Sequence, residues 1–179
     1  MFKHVNFKWG LAAAVAIIAA LILATVASAG PAATVTFAAS HDGASAGWSA
    51  GKGSPINLVL GSSSGSFAEV RLHQVHASAI SDITEPSFTT SLYNAGSPRF
   101  YITLSNGDSL WGYPPQSGVA TSNMAWAINN GNTYMSWTQV QAAEAGATVS
   151  DAYVIADADQ TPGTTDVITG LTFGGTTFN

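Results

Sequence analysis

"RFYITLSNGDSLWGY", residues Arg99 to Tyr113, decides how this chain is read. Apolar and polar side chains alternate on both sides of Asn106-Gly107, which is the period of a strand and not of a helix. Asn-Gly can take the positive φ values of a tight turn, so the stretch predicts a β-hairpin. With a two-residue type I′ loop, Ser105 faces Asp108, Leu104 faces Ser109 and Ile102 faces Trp111. Phe100, Ile102, Leu104, Trp111 and Tyr113 then share one face. Pro114-Pro115 ends the pairing, because proline brings no N–H to a ladder.

Working towards the C-terminus, "MAWAINNGNTYMSW" predicts a second hairpin turning at Asn130-Gly131. Its register sets Met124, Trp126, Ile128 and Met135 on one face, and Ala125, Ala127 and Tyr134 on the other. The period then changes in "SWTQVQAAEAG". Ser136 and Gln139 match a capping box and Gly146 supplies a stop, predicting one helix from Trp137 to Ala145. Two more strands follow, "TVSDAYVIAD" and "DVITGLTFGG". Towards the N-terminus, "ATVTFAA", "INLVL" and "FAEVRLH" read as strands, with "GSSSGS" as a turn. In the last strand Val70 and Leu72 oppose Glu69, Arg71 and His73. Many short strands and one helix imply an all-β, single-domain antiparallel β-sandwich, jelly-roll-like.

Residues 1–29 have the parts of a secretory leader: Lys3 and Lys8, an apolar run from Leu11 to Val26, and the small-residue site Ala27-Ser28-Ala29. A membrane-spanning helix needs about 20 apolar residues, and Gly30-Pro31 interrupts one here. Cleavage after Ala29 is expected, leaving a secreted domain of residues 30–179 with no membrane attachment. That domain keeps Lys52, Arg71 and Arg99 against ten carboxylates, a net charge of −7. Nucleic acid and anionic lipid are poor partners for it, since both require clustered cations. The chain has no cysteine, which excludes disulfide stapling, thiol chemistry and cysteine-ligated zinc.

Several groups could carry chemistry. Asp157, Asp159 and Asp166 flank a Thr-Pro-Gly turn and could converge on calcium, although the EF-hand pattern is absent. The competing reading makes them turn residues. "GSSSG" matches a nucleophile elbow centred on Ser63, but a strand follows it where that motif needs a helix. His73 and His76 diverge in a strand, which disfavours zinc. Glycoside hydrolysis needs two facing carboxyls, and among Glu69, Glu85, Asp108 and Glu144 no spacing selects a pair.

The aromatics suggest more. Trp48, Trp111, Tyr113, Trp126, Tyr134 and Trp137 are many for one small domain, and flat rings stack on the apolar faces of sugars. The hairpin registers place Trp111 and Trp126 beside aliphatic partners, as core residues. Tyr113, Tyr134 and Trp48 remain as ligand-facing candidates. The expected function is a secreted, non-catalytic module that binds a glycan or another neutral ligand. A secreted hydrolase and a structural or adhesive surface protein are the alternatives. No cofactor is required, and calcium is the metal that the acidic loop could take.

Three segments, "EPSFTTSLYNAGSPRFYITLSNGD", "NNGNTYMSWTQVQAAEAG" and "YVIADADQTPGTTDVITGLTFGG", resemble a recurrent group of small secreted microbial proteins. The resemblance covers Asp82 to the C-terminus. It implies a secreted β-rich domain and carries neither an activity nor a functional residue.

Overall fold

Alternating burial runs through nearly every strand of the computed structural model, which describes residues 34–73, 75, 78–91, 98–114, 124–157 and 162–178. The expected leader, residues 1–29, lies outside the described residues. The strands are β1 (Val35–Ala39), β2 (Ser45–Trp48), β3 (Ile56–Val59), β4 (Phe67–Leu72), β5 (Ser87–Thr90) and β6 (Arg99–Leu104). They continue as β7 (Ser109–Tyr113), β8 (Ala125–Ile128), β9 (Val149–Asp157), β10 (Thr165–Phe173) and β11 (Thr176–Thr177). A 3₁₀ turn spans Ile80–Asp82, and helix α1 spans Trp137–Ala143. No helix among the described residues is long and apolar enough to cross a membrane.

The strands form two antiparallel sheets packed face to face as an all-β sandwich. One sheet has six strands in the order β1-β4-β9-β6-β7-β8. In the other, β10 is the hub. Ile168 pairs with Ile56 of β3 and with Thr90 of β5, so those strands lie on opposite sides of β10. β2 pairs with β3, and β11 with the end of β10. β2 itself was not legible as a strand, since Ser45-Ala46-Gly47-Trp48 has low β-propensity and little contrast between its faces.

The core fills the space between the sheets. Phe100 of β6 lies 5.1 Å from Phe88 of β5 and 6.2 Å from Phe173 of β10, and stacks on Trp126 at 5.9 Å. Trp137, the first residue of α1, closes one side of this cluster at 4.7 Å from Trp126, and its Nε1 donates to the Ile83 carbonyl at 2.8 Å. The helix starts as its sequence demands: Ser136 and Gln139 form the capping box. It stops at Ala143, two residues earlier than expected, where Glu144 is buried and its carbonyl accepts the Ala147 N–H in a tight turn.

The β6–β7 hairpin departs from its expected register. Leu104 pairs with Asp108, Gly107 N–H donates to the Leu104 carbonyl at 3.1 Å, and Leu104 N–H to the Asp108 carbonyl at 2.9 Å. The loop therefore has three residues, Ser105, Asn106 and Gly107, with Gly107 at φ +93°. This is a type I turn followed by a glycine bulge, not the two-residue type I′ turn. Asn106 keeps an ordinary φ because its side-chain oxygen accepts the Asp108 N–H at 3.1 Å, a local bond that holds the type I form. The extra loop residue slides β7 by one position, and a one-residue slip turns over every side chain. Ile102 now pairs with Leu110 and Tyr101 with Trp111. Leu110 and Gly112 face the core, while Trp111 and Tyr113 face outward.

The second turn is also displaced by one residue. Asn129 and Asn130 both have positive φ, 53° and 52°, and Gly131 N–H closes the turn on Ile128 at 3.0 Å. Trp126 and Met135 still face each other across it, exchanging bonds of 3.0 and 2.8 Å. The expected burial of Trp126 and exposure of Tyr134 both hold.

Candidate ligand-binding face

The outer surface of the six-stranded sheet is built by strand alternation. Residues whose neighbours fill the core must point the other way. On β9 these are Asp151, Tyr153, Ile155 and Asp157; on β6, Arg99, Tyr101 and Thr103; on β4, Glu69 and Arg71. Pairing registers align one row across all six strands: Thr36, Arg71, Tyr153, Tyr101, Trp111 and Ala127. Tyr153 and Tyr101 stack at 6.0 Å between centroids, and Tyr101 and Trp111 tilt together at 4.7 Å. The Arg71 guanidinium lies 5.4 Å from the Tyr153 centroid and that of Arg99 lies 5.3 Å from Trp111. Each arginine is also ion-paired on the same face, Arg71 with Asp151 and Arg99 with Asp157.

Above this row lies an open depression of about 460 Å³, lined by Glu69, Tyr101, Trp111, Tyr153 and Ile155. Its volume falls within the usual range of small-ligand sites, and a largely aromatic and aliphatic wall with a single carboxyl is typical of them. Burial pushes the Glu69 carboxyl above its ordinary value, against an opposing pull from Arg71. Burial likewise raises the Tyr153 phenol, so it remains an un-ionised hydrogen-bonding group at neutral pH.

Tyr113, at the end of the strand that carries Trp111, forms an edge-to-face pair with Tyr134 at 5.7 Å. Tyr134 is 60% exposed, and the Tyr113 hydroxyl donates to the Asn130 side chain at 2.6 Å. Trp48 lies elsewhere. It belongs to β2 in the other sheet and packs edge-on against Phe37 at 5.6 Å, against the core margin. Tyr101 and Tyr153 went unnoticed in the sequence, although each sits next to a residue that alternation sends inward, Phe100 and Val154. Trp111 was misplaced by the two-residue turn.

The acidic residues separate. Asp157 ends β9 and holds Arg99. Asp166 is on β10 in the opposite sheet, turned inward and 1% exposed. Asp159 lies outside the described residues. Among the described residues no three acids or histidines gather as a metal site. The other carboxylates raised as catalytic candidates hold the fold together. Glu85 accepts from Met124 N–H at 3.1 Å and Trp126 Nε1 at 3.2 Å. Asn106 donates to Glu144 at 2.8 Å and to Asp108 at 2.9 Å, and Asn129 also donates to Asp108.

Ser63 sits in the turn between β3 and β4, with its hydroxyl bonded to Asp42. Bonds from Ser40 and Ser63, with further help from Ser66, hold the Asp42 carboxyl well below the usual carboxylate range. This clamp ties the β1–β2 loop to the β3–β4 loop. No strand–turn–helix surrounds it, so the nucleophile-elbow pattern is a turn. His73 bonds Thr36 at 2.9 Å, and His76 lies outside the described residues.

No family model, curated protein or solved structure matches this chain, so its functional reading rests on the face itself.

Proposed function

We propose that this protein is an exported, non-catalytic binding module that holds a glycan on the outer face of its six-stranded sheet. The observation that carries this reading is the Tyr153–Tyr101–Trp111 row beneath an open depression. Apolar sugar faces suit such rings, while Glu69 and the tyrosine hydroxyls offer partners to sugar hydroxyls. The distribution of carboxylates supports binding over turnover. A glycosidase needs two carboxyls across the scissile bond, and on this face Asp151 and Asp157 are each held by an arginine.

A glycan array followed by affinity measurement tests the proposal. Trp111→Ala should weaken binding of any glycan that scores by about ten- to a hundredfold, the range expected when a central aromatic anchor is removed. The melting temperature should barely move, because Trp111 is outside the core. Unchanged affinity in Trp111→Ala, or an array on which nothing binds, would dispose of the reading.

A further inference from the structure

Glu69 bears on which glycan the face takes, an inference that rests on the glycan-binding reading. Its carboxylate lines the depression beside Tyr101, Trp111 and Tyr153. No described residue hydrogen-bonds it. Arg71, two positions along β4, is paired with Asp151 and laid over Tyr153. Arg99, across the sheet, is paired with Asp157 and laid over Trp111. The face thus carries three carboxylates against two guanidiniums, and the one in the depression has no ion pair of its own among the described residues, only the longer-range pull of Arg71. Burial disfavours its charged form, as expected for a group awaiting either a proton or a cation.

Different sugars meet this wall differently. A neutral sugar offers Glu69 only hydroxyl donors, while a uronate brings a second negative charge to a domain that is already acidic. A ring carrying a free ammonium offers both parts of a match: a cation for Glu69 and an apolar ring face for the aromatics. We propose that the ligand is a glycan of unacetylated amino sugars, with Glu69 pairing the ammonium while Tyr101 and Trp111 carry the ring.

Isothermal titration of the protein with three oligomers of equal length, of glucosamine, N-acetylglucosamine and glucose, tests this. The glucosamine oligomer should bind at least about tenfold more tightly than the other two, and the margin should shrink as salt is raised. Glu69→Gln should remove that preference, bringing the glucosamine oligomer down to the affinity of the uncharged ones, while leaving the melting temperature in place. If an uncharged oligomer binds as tightly as glucosamine, or Glu69→Gln keeps the preference, the amino-sugar proposal falls and the glycan reading stands. If none of the three binds and the wider glycan array is also blank, both fall together.

Discussion

Asp166 is a carboxylate on the inward face of β10, paired across the sheet with Leu58, with one of its oxygens lacking any hydrogen-bond partner. Burial alone pushes its pKa up to about 7, from 3.8. The folded state therefore holds this proton more tightly than the unfolded chain does. The associated stability is fully present below about pH 4, is lost as the pH rises towards 7, and stays lost above that. The shift corresponds to roughly 4 kcal/mol at most. Asp166→Asn keeps the shape and removes the charge. Urea unfolding should find this variant more stable than the parent at pH 8, by about 2–4 kcal/mol, and close to it at pH 4. Parallel stability profiles for the two proteins would show that Asp166 does not titrate in this range.

At the scale of elements, the β6–β7 hairpin has two glycines with different duties. Gly107 supplies the positive φ of the bulge and has nothing within 4 Å of an added Cβ. Gly112 has an ordinary backbone, but a Cβ there would come within 2.7 Å of the Trp126 ring. Gly107→Val should cost about 1 kcal/mol or more through backbone strain. Gly112→Val should cost about 1–3 kcal/mol through overpacking, and should also displace Trp126 from Phe100. Thermal melts rank the two, and tryptophan fluorescence separates them: only Gly112→Val should alter it strongly. Both halves of the hairpin were evident from alternation and the Asn-Gly pair. Its register was not, because Asn-Gly, the favoured pair of a two-residue loop, also fits a three-residue loop with the glycine in the bulge. The choice followed from the Asn106 side chain bonding the Asp108 amide.

For the whole molecule, the two sheets are joined chiefly by side chains, and Phe100 is the residue through which the aromatic contacts of both converge. Phe100→Ala should therefore destabilise the entire sandwich by about 3–5 kcal/mol, since it leaves a cavity between layers that cannot collapse locally. A single cooperative unfolding transition shifted to lower urea is expected. Loss of one sheet with the other retained would contradict this. The same two-layer arrangement accounts for the candidate site. Packing one face of the six-stranded sheet on Phe88, Ile168 and Phe173 commits the other face to solvent, and the Tyr153–Tyr101–Trp111 row follows from that commitment.

Local chemistry in the sequence was enough to determine the class of fold, most strands and the helix start. Two-residue periodicity, the Ser136–Gln139 cap and the glycine and asparagine turns act within a few residues of themselves. Three matters were decided only in tertiary structure. One-residue slips in the turns chose which aromatics face out, bringing Trp111 out of the expected core and onto the outer face of the six-stranded sheet. Sheet membership separated Asp157 from Asp166, since neighbouring strands in sequence can join opposite layers. Finally, the bulge in β10, where Gly170 has φ +60°, shifts the inward set from Asp166 and Ile168 to Leu171 and Phe173. Alternation has a period of two, so a single inserted residue inverts everything beyond it. A sequence displays the period directly, but its phase depends on contacts with strands far along the chain.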